Sequence, residues 1–153
     1  MIRPHLEYGH SIWFPQLIRQ SKKIENVQRR ATKLIPFFKN LSYIERLRRL
    51  CLPSLKYRRT RGDMIKVFKY LSSEDKMGSC QLLPRNESCY HTRGHDKKLK
   101  KNRYNCNLRK FSFQLRVTNL WNSLTTKTTN ATSINMFKKS LDDELKHLQY
   151  EID

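Results

Sequence analysis

Residues 22–35 read KKIENVQRRATKLI, and this stretch decides the fold class. Ile24, Val27, Ala31, Leu34 and Ile35 recur at three- and four-residue intervals, which puts them on one stripe of a helix. Lys22, Arg29, Arg30 and Lys33 fall off that stripe. Ser21 is the expected N-cap, and Pro36 closes the helix because the residue before a proline avoids the α region.

The same pattern continues on both sides. Upstream, residues 4–13 carry Leu6, Ile12 and Trp13, with Pro4 suited to a first turn and Pro15 ending the stretch. Met1 opens with no cap before it, as expected of a fragment that begins inside an element. Downstream, Ser42 followed by Glu45 is a capping box for a helix reaching Leu50. Its buried side is Leu47 and Leu50, while Arg46, Arg48 and Arg49 are expected to lie outside. Leu55 to Leu71 is the longest helical segment, with Tyr57, Met64, Ile65, Phe68 and Leu71 at helical spacing. Residues 72–102 lack periodicity and read as a loop carrying Lys97, Lys98, Lys100 and Lys101. A short strand is expected near Arg103 to Arg109. Helix returns from Ser112 to Leu124 on a face of Phe113, Val117, Leu120, Trp121 and Leu124. After a polar linker, Ser133 caps a last helix striped by Ile134, Phe137, Leu141, Leu145 and Leu148. The expectation is a mainly α chain: a small helical bundle with a long basic loop and at most one short hairpin or strand pair. Its expected divisions are a basic helical unit at 1–71, a polar basic loop at 72–110 and a carboxyl-terminal helical pair at 111–153.

Charge points to the partner. Thirty-two Lys and Arg oppose thirteen Asp and Glu, for a net charge of +19, and such a surface repels itself unless a polyanion is near. Residues 1–61 hold fifteen cations against three acids, whereas residues 133–153 hold three against five. No apolar run reaches the roughly 18–20 residues a membrane span needs, and Arg3, His5 and Glu7 interrupt the start where a signal peptide would be apolar. No membrane partner is expected, and the widely spaced Cys51, Cys80, Cys89 and Cys106 read as free thiols in an intracellular setting.

Little in the chain supports catalysis. Two-metal polymerisation needs carboxylates converging on the ions, and the adjacent Asp142 and Asp143 sit in an amphipathic helix with no acid in an apolar strand to join them. With four glycines in all, Gly-rich phosphate loops are nearly excluded. Cys80, Cys89, His91, His95 and Cys106 cluster in the loop, but no tight Cys pair is present, so no metal and no cofactor are expected. Phe111, Phe113 and Trp121 could stack bases, yet beside Val117 and Leu120 at helical spacing they read as core. The arginine-rich helices carry the binding expectation. Guanidinium forks match phosphate oxygens in pairs, and ordinary solvated helices mix charge signs instead. The expected nucleic-acid contacts are Lys22, Arg29, Arg30, Lys33, Arg48, Arg49, Arg58, Arg59, Arg61, Lys97, Lys98, Lys100 and Lys101.

An ordered series of short motifs carries a family likeness: Arg3-Pro4-His5-Leu6-Glu7-Tyr8, Trp13-Phe14-Pro15, Ile24-Glu25-Asn26-Val27-Gln28-Arg29-Arg30-Ala31-Thr32-Lys33, Leu52-Pro53-Ser54-Leu55 and Arg61-Gly62-Asp63. Thr92-Arg93-Gly94-His95, Leu108-Arg109-Lys110-Phe111-Ser112-Phe113, Arg116-Val117 and Trp121-Asn122-Ser123-Leu124 continue it. Together they resemble the region after the catalytic palm in LINE-like, jockey-like non-LTR retrotransposon reverse transcriptases, over nearly the whole chain. The resemblance implies a helical thumb that grips an RNA or DNA template-primer duplex, followed by a family-specific tail. The palm's aromatic-x-Asp-Asp motif and the endonuclease are missing, so the chain is expected not to be an enzyme alone. Three readings follow: a backbone-binding module, an orphan fragment whose faces at 4–13 and 24–35 would lie exposed without a palm to cover them, and a polymerase subunit completed by another chain.

Overall fold

A computed structural model describes residues 3–77, 83–86 and 94–152. The chain is mainly α-helical, as expected. In chain order the described helices are α1 (Arg3–Glu7), α2 (Ile18–Lys33), α3 (Tyr43–Arg49), α4 (Leu55–Met77), α5 (Asn107–Lys110), α6 (Phe113–Ser123), α7 (Thr126–Thr129) and α8 (Ile134–Glu144). Short 3₁₀ turns occupy Pro36–Phe38 and Lys146–Leu148. No described helix is long and apolar enough to cross a membrane.

Several element bounds differ from expectation, each for a local reason. The helix α2 starts a turn early, because the hydroxyl of Ser21 accepts from Arg59 Nη2 at 3.1 Å rather than capping the helix. The helix α4 runs on to Met77, and Ser72 sits in it by donating its hydroxyl to the Phe68 carbonyl at 2.8 Å. The expected strand near Arg103 to Arg109 does not form. Its residues are exposed, and 107–110 turn into α5. Strand-like pairing occurs instead between Arg85 and Leu99, where Asn86 N–H donates to Lys98 O and Lys100 N–H to Pro84 O, both at 2.8 Å. Buried Leu83 and Leu99 anchor it. The capping box of α3 forms as read, with Ser42 and Glu45 exchanging bonds. At the other end of α3, Cys51 takes the left-handed conformation (φ 50°), and Leu52 N–H returns to Leu47 O at 2.9 Å. This is a helix-closing turn usually given to glycine.

Compact units do not follow chain order. One unit joins residues 1–60 with 145–153, and the other is 61–144. In the first, Ser54 N–H donates to Gln149 O at 3.0 Å, which ties the end of the chain to the start of α4. In the second, an apolar core gathers Met64, Val67, Phe68, Val117, Trp121, Phe137 and Leu141, all less than a tenth exposed. The Phe68 and Phe137 rings stack with centroids 4.3 Å apart.

Many of the motif residues act as ties within that second unit. Arg116 forks onto Asp63 at 2.9 and 3.2 Å, and both side chains are nearly buried. Asn122 brackets Leu99, accepting its N–H at 2.8 Å and donating to its carbonyl at 2.9 Å. His95 is buried and donates Nε2–H to the Trp121 carbonyl at 3.0 Å, while Trp121 Nε1–H donates to Lys97 O at 2.8 Å.

Candidate nucleic-acid interface

The helix α2 is divided lengthwise into three sectors. At 3.6 residues per turn, Ser21, Glu25, Gln28 and Thr32 share an arc of about 60°, and these four are its buried residues. Arg19, Lys22, Lys23, Arg29, Arg30 and Lys33 span an adjoining arc of about 120°, and all six are exposed. Ile24, Val27, Ala31 and Leu34 fill much of the remaining arc, with Leu34 80% exposed.

A polar buried face is unusual, and the hydrogen bonds account for it. Glu25 accepts the Tyr43 hydroxyl at 2.6 Å and the N–H of Leu55, first residue of α4, at 3.1 Å. Its carboxylate therefore sits at the positive end of the longest helix. Gln28 Nε2 donates to Pro53 O at 3.3 Å. Burial, and then the bond to Glu25, push the Tyr43 phenol well above its ordinary range, so it stays protonated and keeps donating. Glu25 is the one acid of α2, and this network holds it inside the unit. The exposed cations of the helix are left with no acid among them.

Other expected contacts divide into free-standing and committed groups. Arg48 and Arg49 on α3 are exposed, and Arg48 lies over the Tyr150 ring at 5.7 Å. Arg58 is paired with Glu7, Nη2 to Oε2 at 2.7 Å. Arg59 is only 2% exposed and serves Ser21. In the second unit, Arg61 forks onto Asp142, so Asp142 serves as an ion-pair partner. Lys97 is half-buried and donates to Thr129 O at 3.2 Å. Lys98 is half-buried, whereas Lys100 and Lys101 are exposed.

Nothing found among known proteins is similar to this chain: no family model, curated protein or solved structure matches it.

Among the described residues no group of three or more His, Cys, Asp or Glu could hold a metal. Of the loop cluster, His95 is a core residue and Cys106 an exposed free thiol, while Cys80, Cys89 and His91 lie outside the described residues. Trp121 and Phe137 are fully buried and work as core, whereas Phe113 is half-buried and packs edge-on to the exposed Tyr70 at 6.3 Å. The sequence reading missed Arg46. It was expected to lie outward on α3, yet it is 5% exposed, with its guanidinium over the Tyr43 ring at 5.7 Å. The missing signal was its spacing from Tyr43, three residues earlier on the same helix face.

Proposed function

We propose that the chain binds the sugar–phosphate backbone of RNA or DNA, as the thumb-and-tail part of a LINE-like reverse transcriptase would. One observation supports this above the rest: six exposed cations of α2 occupy one continuous arc, and the helix's single acid is buried away from them. Solvated helices ordinarily intersperse acids to form i,i+4 pairs. A surface without them suits a polyanion, and phosphate contacts of this kind position a strand or duplex without reading its sequence. Arg48 and Arg49 extend the same charge within the first unit, and Lys100 and Lys101 give the second unit its own exposed pair.

Salt dependence tests the reading. Affinity for a short duplex, followed by fluorescence anisotropy, should fall linearly on a log–log plot against salt, with a slope of about −0.9 per phosphate contacted. The triple variant K22E/R30E/K33E should flatten that slope by roughly three units and weaken all sequences alike. An equal change from K127E/K139E, or an affinity indifferent to salt, would count against it.

A second reading has its own support. Tyr8, Ile12, Leu17, Ile18, Leu34 and Phe37 are all more than 60% exposed in the first unit. An apolar surface of this extent is what a fragment would show if another polypeptide, such as a palm, normally covered it. Self-association at micromolar concentration, relieved by L34S/F37S, would favour this orphan reading.

A further inference from the structure

Arg46 is a buried cation with no ion-pair partner among the described residues. Its Nε and Nη1 are buried with no hydrogen-bond partner, and the residue is 5% exposed. A buried guanidinium left with open donors is costly, by several kcal/mol in typical proteins. What holds it here is the Tyr43 ring, 5.7 Å from its Cζ. The Arg29 guanidinium lies over the same ring at 4.9 Å. The hydroxyl of Tyr43 points its proton at Glu25, which makes the ring richer in electrons and a better seat for two cations. Glu25 itself is occupied by that hydroxyl and by the Leu55 N–H.

Two guanidinium groups therefore share one aromatic ring, one of them buried and undercoordinated. Arg29 also stands at the edge of the basic arc nearest the buried sector of α2, so the arc ends at the residue that shares the Tyr43 ring with Arg46. The fork of a guanidinium fits planar pairs of oxygens on carboxylate or phosphate. A lone carboxylate would leave the neighbouring Lys22, Arg30 and Lys33 unbalanced, whereas a phosphodiester belongs to a chain of charges that the arc can follow.

We infer that Arg46, with Arg29 over the same Tyr43 ring, is a phosphate-binding subsite that takes one backbone phosphate. This rests on the nucleic-acid reading for the source of the phosphate, but a free phosphate would present the same oxygens.

The test uses the wild-type chain and follows the Nε–H resonances of Arg46 and Arg29 by ¹⁵N NMR, with anisotropy run in parallel. The probes are a short oligothymidylate and inorganic phosphate. The expected result is that oligothymidylate shifts both resonances over the same concentrations at which anisotropy reports binding. The R46Q variant should then weaken that binding about tenfold to a hundredfold, with R46K recovering little because it lacks the fork. Oligothymidylate that binds with the Arg46 resonance unmoved would overturn the subsite and leave the nucleic-acid reading intact. Phosphate that moves Arg46 while no oligonucleotide binds would support the subsite and overturn that reading. Neither probe moving Arg46 overturns the subsite. Because the resonances are read on the unmutated protein, a failure of R46Q to fold does not spoil the test.

Discussion

The two compact units solve the burial problem in different proportions. Residues 61–144 hide large apolar side chains, with Trp121, Phe137, Leu141 and Val67 essentially inaccessible, and use ion pairs such as Asp63–Arg116 as ties. Residues 1–60 with 145–153 bury a smaller apolar set, with Leu47, Leu55 and Leu145 nearly inaccessible, and add a larger polar one: Glu25, Gln28, Thr32, Arg46 and Arg59 are all less than a tenth exposed. The same unit turns Ile12, Leu34 and Phe37 outward at 80% exposure or more. A unit built like the second is held by the hydrophobic effect, which is tolerant of direction. A unit built like the first leans further on directed hydrogen bonds, which fail together when one partner is lost. The exposed apolar faces and the acid-free cationic arc are two sides of one arrangement, since the polar sector of α2 has taken the inside.

The largest effect should come from the apolar unit. Trp121→Ala removes a fully buried ring and the donor to Lys97 O, and should cost about 3–5 kcal/mol by chemical denaturation. A loss under about 1 kcal/mol would deny that this core is close-packed. Next is Glu25→Ala, which strands the Tyr43 hydroxyl and the Leu55 N–H inside the other unit. The expected cost is on the order of 3 kcal/mol. If a denaturation curve moved no more than for a surface change, the polar network would not be what holds the first unit.

Acidification should separate the units further. Burial, the larger cause, pulls His95 below its ordinary range despite its bond to the Trp121 carbonyl, and Lys98 adds to the pull. The unfolded chain then binds a proton that the folded chain refuses, so unfolded protons exceed folded ones below about pH 6.5. Stability of the second unit is full above that pH and declines as pH falls through it. Melting curves for wild type and His95→Gln should converge on acidification, and parallel curves would rule His95 out as the cause. The smallest effect is expected from L34S/F37S, within about 0.5 kcal/mol, because neither side chain is buried. A loss of 2 kcal/mol or more would mean that this face is covered after all.

Much of this was legible in the residues alone. The periodicity of 24–35 and 55–71 determined that the chain is helical, Ser42 with Glu45 determined where α3 begins, and composition determined a surface in need of anions. Local pattern suffices for these because a helix is made of near-neighbour bonds and charge is a sum over residues. Which face of α2 turns inward was not legible. Hydropathy favoured Val27 and Leu34, yet Glu25 and Gln28 won because Tyr43, Pro53 and Leu55, distant in sequence, supply their partners. The same holds for Arg46, which becomes a buried cation only once Tyr43 is packed against α2. The sequence determined how many cations there are and on which helices. Only the tertiary structure decided which of them are spent internally, as Arg58, Arg59 and Arg61 are, because that depends on acceptors the chain brings in from far away.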